Sequence, residues 1–188
     1  MKREHKRGTL ALCGALLLAS LSACGGGGGN NGGDSAPTSG KASPTTTEAV
    51  AGLETSGTLP KLDRSADVMG PDTDGDGIRD DVKAVITKNY SDSTQVKAAV
   101  QFAAVAQAQL LVDTGNPAAV KAVAVRTAAA VNCLALTFGT NTTPSFSDVA
   151  RSLEADTANT KQRKQAQLAY SKAMDGAVIS LPEGNTCE

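Results

Sequence analysis

Val96-Lys97-Ala98-Ala99-Val100-Gln101-Phe102-Ala103-Ala104-Val105-Ala106-Gln107-Ala108-Gln109-Leu110 is the stretch on which the fold turns. Val96, Ala99, Val100, Ala103, Ala106 and Leu110 recur at helical spacing, so one face is apolar and the segment predicts an amphipathic helix. Gly115 stops it. Asn116-Pro117 then offers an N-cap and a proline in the first helical position of the next element. That element carries its own stripe, Val120, Val123, Ala124, Thr127, Val131, Leu134, Ala135 and Phe138, and ends at Gly139.

The pattern extends in both directions. Upstream, Ile78, Val82, Val85, Ile86 and Tyr90 form the stripe of a shorter helix. Downstream, Ser145 and Asp148 have capping-box spacing with Asp in place of the usual Glu, and Val149 and Leu153 open a fourth amphipathic stretch. Its middle, Asp156 to Gln167, is polar and is expected to break or to project into solvent. Leu168, Tyr170, Met174, Ala177 and Val178 restore apolar content before Leu181-Pro182 ends it. No window shows strand alternation. The expected fold is all-α, a small bundle of about four helices within residues 59–188, enough chain for one modest core. With three Phe, two Tyr and no Trp, Ala and Val must fill most of that core, and no aromatic stacking platform is available.

The N-terminus reads as an address. Lys2, Arg3, Lys6 and Arg7 precede an apolar run from Leu10 to Leu21, too short for a permanent bilayer span and typical of a cleaved secretory signal. Leu21-Ser22-Ala23-Cys24 closes that run and resembles the lipobox of bacterial lipoproteins. The resemblance implies cleavage after residue 23 and acylation of Cys24, with palmitate among its acyl groups. The bilayer would then be a partner through the lipid on Cys24. An ordinary soluble secretory signal is the alternative. Gly25 after the lipidated cysteine implies the outer membrane of the cell envelope by the sorting pattern of enteric bacteria. Residues 24–58 are then a Gly/Ser/Thr/Pro-rich tether, unable to bury enough surface to offset its ordering entropy and expected to stay disordered. As a flexible coil of about 36 residues it spans roughly 30–36 Å.

Loss of residues 1–23 removes four basic residues and Glu4, leaving 14 Lys and Arg against 18 Asp and Glu, a net charge of about −4. That excludes a basic tract of the kind nucleic acid requires. The only histidine, His5, leaves too, which argues against enzymes and against zinc or copper sites. Lys161, Arg163, Lys164 and Lys172 read as a solvated helix face rather than a contact for anionic lipid. Cys13 is lost and Cys24 is lipidated, so Cys133 and Cys187 remain as an even pair in an oxidising compartment. A disulfide is the natural reading, buried free thiols the alternative.

One segment carries chemistry: Asp72-Thr73-Asp74-Gly75-Asp76-Gly77-Ile78-Arg79-Asp80-Asp81. Carboxylates alternate at positions 1, 3 and 5, a glycine follows for the sharp turn, and an aliphatic, Ile78, sits at position 7. Hard oxygens converging from one loop suit Ca²⁺, whereas Mg²⁺ prefers fewer protein ligands and keeps its waters. The alternative is a solvated acidic turn that caps a helix, favoured there by the macrodipole. The segment resembles the D-x-D-x-D-G calcium loop of EF-hands, dockerins and thrombospondin type 3 repeats over about twelve residues. The resemblance implies Asp72, Asp74 and Asp76 as side-chain ligands and Ile78 as a carbonyl ligand. Position 12, a bidentate Glu in EF-hands, is Lys83 here. Asp81 is the expected substitute, with Asp80 serving directly or through water. The chain also resembles uncharacterised Ala-rich bacterial lipoproteins, which implies no activity. The expected function is a membrane-anchored binding or scaffolding module for an unidentified protein partner. The alternative is a carboxylate-dependent hydrolase of the cell envelope.

Overall fold

The structure, a computed structural model, describes residues 44–188. The signal segment 1–23, Cys24 and the tether as far as residue 43 lie outside the described residues. Within them the chain forms six α-helices and no strand: α1 (Thr46–Thr55), α2 (Asp80–Asn89), α3 (Ser93–Leu111), α4 (Pro117–Phe138), α5 (Phe146–Thr157) and α6 (Lys161–Ala173).

Each boundary has a local cause. Asp92 accepts from the Thr94 and Gln95 amides at the start of α3, and Asn116 does the same for Ala118 and Ala119 ahead of Pro117 in α4. Ser145 and Asp148 close a capping box on α5, and Gly139 ends α4 with φ 73°. These side chains satisfy amides that a helix start leaves without partners.

The core lies where α3 and α4 pair and α2 and α5 close over them. Val82, Ile86, Phe102, Leu134 and Val149 are all buried, each worth roughly 1.5–3 kcal/mol of hydrophobic transfer. Ala98, Ala99, Ala103 and Ala130 are also buried. Their single methyl groups let the helices approach closely. By length and composition α4 would also suit a bilayer, yet here it packs against α3 and α5. Cys133 and Cys187 are joined by a disulfide, with Cα atoms 4.9 Å apart. Thr186 adds a hydrogen bond to the Ala129 carbonyl (2.7 Å), and Asn132 donates to the Gly184 carbonyl (2.8 Å). Closing a loop of this separation, 54 residues, is worth about 4 kcal/mol in the chain-entropy picture.

Two expectations change, and a third resolves into one of its two alternatives. The last part of the stretch read as disordered tether forms α1, because Thr45 and Glu48 make a capping box at its start and Glu54 takes hydrogen bonds from Arg64. None of its residues is buried. Of the two outcomes expected for the polar middle of the fourth stretch, the chain breaks: α5 ends at Thr157, Thr160 caps α6, and Ala158 and Asn159 lie between them. Arg163 is not on a solvated face. Its side chain is fully buried, while Leu168 and Val178, read as apolar content of the bundle, are exposed.

Two guanidinium groups explain how the segment ahead of α2 is held. Arg163 donates to the Asp63 carboxylate (2.5 Å) and to the carbonyls of Asp63 (2.8 Å), Asp67 (2.7 Å) and Val68 (3.2 Å). Arg79, also fully buried, forms a two-point pair with Asp81 at 2.9 Å for each bond, and donates to the carbonyls of Thr157 (2.8 Å) and Asp156 (3.1 Å). Asn159 bridges the two, accepting from both and donating to the Asp63 carbonyl. A buried charge is tolerable only when paired and hydrogen-bonded this fully. Gly70 passes directly over them at φ 69°. A Cβ there would lie 2.8 Å from an Arg163 nitrogen and closer still to the Arg79 side chain, so only glycine fits.

Candidate metal centre

The loop between Pro71 and α2 is organised around Asp72. Its carboxylate accepts the amides of Gly75 (2.9 Å), Asp76 (3.2 Å) and Gly77 (3.0 Å). Gly75 and Gly77 adopt φ 70° and 84°, the left-handed conformation that this tight curl requires. Asp76 in turn accepts the Ile78 amide (3.0 Å). At the far side, Asp80 begins α2 and reaches back, accepting the Thr73 amide (3.0 Å) and hydroxyl (2.5 Å). Asp80's own amide donates to the Pro71 carbonyl, closing the loop on itself.

Oxygens of Asp72, Asp74 and Asp80 come together, all within 4.8 Å of one another, an acidic triad that could hold a metal ion. Asp76 adjoins it, since the Lys83 ammonium bonds the carboxylates of both Asp74 and Asp76. Those bonds hold the Asp74 carboxyl below its ordinary range and raise the Lys83 ammonium above its own. The Thr73 hydroxyl and amide likewise lower the Asp80 carboxyl. Thus four carboxylates share one fixed positive charge, and that charge is partly exposed. The triad offers only hard carboxylate oxygens, and among the described residues neither His nor thiolate joins it.

The remaining expected ligands divide. Ile78 is buried as a side chain, and among the described residues no N–H donates to its carbonyl. Asp81 is not brought to the triad. Both its oxygens pair with Arg79, and it also accepts the amides of Asp63 (2.5 Å) and Val82 (2.8 Å). The closing acid on the α2 side is Asp80, one residue earlier. The sequence reading gave no role to Arg79, Asn159 or Asp63 and placed Arg163 on a solvated face, where it is in fact buried. A signal existed for Arg163, which stands seven residues before Tyr170 on the inward stripe of α6, where an apolar residue is the rule. Cys24 lies outside the described residues.

The chain matches no protein-family model, no curated protein and no solved structure.

Proposed function

We propose that this chain is a lipid-anchored envelope protein whose helical domain is entered through a calcium-binding loop and serves as a binding or scaffolding module. The observation that carries the metal half is the convergence of Asp72, Asp74 and Asp80 on one point from both ends of a curled loop. Ca²⁺ fits better than Mg²⁺ because the loop offers many oxygens and no rigid octahedron. Asp72, Asp74 and Asp80 would supply carboxylate oxygens, Asp76 a further one once Lys83 leaves, and Ile78 its undonated carbonyl. The ion would neutralise the cluster and fix the lead into α2. Affinity is expected in the range of extracellular modules, roughly 10⁻⁴–10⁻³ M. The anchor half rests on Leu21 to Cys24, the basic residues before them and the Gly-rich run after them.

A module is favoured over an enzyme by what the acids do. Asp156 is pushed up, by burial, in a cavity of about 320 Å³ shared with Ser152 and Lys88. A hydrolase of this type needs a second carboxyl converging there. In the loop, Asp74 and Asp80 are held down, not up.

Thermal unfolding with and without Ca²⁺ tests the reading. At about 10 mM, some ten to a hundred times the expected Kd, the ion should stabilise the fold by about 1.4–2.7 kcal/mol. Asp74→Ala should abolish the rise, and equal midpoints in calcium and in chelator would refute the site. Labelling with a fatty-acid analogue, with Cys24→Ser as control, tests the anchor.

A further inference from the structure

The cavity of about 320 Å³ that holds Asp156 lies where the last turns of α2 and α5 meet the loop leaving α1. Val85, Lys88 and Asn89 stand one turn apart on α2, and Ser152 and Asp156 one turn apart on α5, so each helix gives it one face. Gly57 to Pro60 form the third wall. That wall is fastened, since the Leu59 amide donates to the Leu53 carbonyl (3.0 Å) and the Ser56 and Thr58 hydroxyls share a bond of 2.9 Å.

Asp156 is the group that needs explaining. Its side chain is half-buried, and burial pushes the carboxyl up. Arg79 does not answer it: that guanidinium bonds the Asp156 carbonyl (3.1 Å) and pairs with the Asp81 carboxylate. The charges of Arg79 and Asp81 act on Asp156 in opposite directions. Among the described residues, no hydrogen bond reaches the Asp156 carboxylate, and no ion pair joins it to Lys88 on the α2 wall. Lys88 itself is exposed and pairs with no other acid. A half-buried carboxylate without a donor lowers stability, and such groups collect where a ligand completes the set.

We infer that this cavity binds a small zwitterion, an α-amino acid with an aliphatic side chain. The ammonium of the ligand donates to Asp156, its carboxylate accepts from Lys88, and its hydrocarbon rests on Val85, Leu59 and Pro60. Charge selects this class. Walls of opposite sign that do not pair with each other match a molecule carrying both charges, whereas a simple anion meets Asp156 and a simple cation leaves Lys88 unanswered. Volume agrees, being at the lower end of the roughly 300–1,000 Å³ of small-ligand sites. The site goes beyond the module reading and depends on neither the ion nor the lipid anchor.

Titration calorimetry on the full chain tests it with three probes: leucine, leucinamide, which lacks the carboxylate, and N-acetylleucine, which lacks the ammonium. Leucine should bind saturably at one site, and each of the others about tenfold more weakly or worse. Asp156→Asn should weaken leucine about tenfold or more without lowering the melting midpoint at neutral pH, because it removes a half-buried charge that has no partner. Lys88→Met, at an exposed position, should leave the midpoint unchanged and make leucine and leucinamide bind alike. Ser152→Trp, filling the cavity from the α5 wall, should exclude leucine. No saturation by about 10 mM leucine, equal binding of the three probes, or affinity unchanged by Asp156→Asn would overturn the inference. Running the titration in both calcium and chelator separates this outcome from failure of the metal loop.

Discussion

Asp80 and Asp81 are neighbours in sequence, yet they belong to two regions that solve one electrostatic problem differently. Asp81 faces inward and is answered by a guanidinium built into the chain, buried completely and tied to the α5–α6 corner. Asp80 faces the loop, where Asp72 and Asp74 crowd it and the one fixed cation, Lys83, is exposed in part and bonds other carboxylates. The inner cluster carries its own counter-charge in a form that cannot diffuse away. The outer cluster leaves room for one that can. Fixed pairs of the first kind hold a segment in place, whereas acid-rich loops of the second kind are what an ion selects.

The comparison breaks first at Arg163. Arg163→Met removes the buried cation paired with the Asp63 carboxylate and leaves the Asp67 carbonyl without a donor, so a loss of about 3–5 kcal/mol is expected, read as a lower urea midpoint with unchanged slope. A loss below about 1 kcal/mol would mean that the inner cluster is not what fastens the lead-in segment. Gly70→Ala comes next, at about 1–3 kcal/mol, since it adds a steric conflict with both arginines to a left-handed backbone. If that variant melts like the parent, the close passage of Gly70 over the guanidinium groups is not maintained.

Lys83→Glu sharpens the outer half. It removes the competing ammonium and restores the acid of position 12, so calcium affinity measured by titration calorimetry should tighten about tenfold or more. Unchanged or weaker affinity would place the ion elsewhere. The smallest effect is one of pH. Arg163 holds the Asp63 carboxyl below its ordinary range. An acid lowered on folding adds stability that is complete above the unfolded value near 4 and is lost as pH falls through the folded one. Asp63→Asn should therefore flatten the acid limb of the stability curve between about pH 5 and 2. Asp156, raised by burial, works in the opposite sense. Asp156→Asn should help more at neutral pH than in acid.

Much of the bundle was legible because its determinants are local. The stripes of α2, α3 and α4, the Asn116-Pro117 start and the Ser145–Asp148 box all lie within a few residues of what they control, and each forms as expected. The curl of the loop was legible for the same reason, being made by Asp72 and two glycines within six residues of one another. The choice between Asp80 and Asp81 was not. It depends on Arg79, whose partners Asp156, Thr157 and Asn159 stand 77 to 80 residues away. Arg163 escaped likewise, since the carbonyls it serves are some 95 to 100 residues upstream and carry no side-chain signal. The helix α1 was lost in the Ser/Thr/Pro composition around it, although Thr45 and Glu48 had capping-box spacing.

The alanine seam between α3 and α4 has a calorimetric consequence. Ala98, Ala99, Ala103, Ala106, Ala124, Ala128 and Ala130 occupy core places that larger side chains fill in most domains. Unfolding them wets little hydrocarbon for each residue released, and wetted hydrocarbon is what bends the free-energy curve with temperature. The heat-capacity increment should fall below the usual 12–15 cal/mol/K or so per residue, giving a shallow stability dome that tolerates cold as readily as warmth.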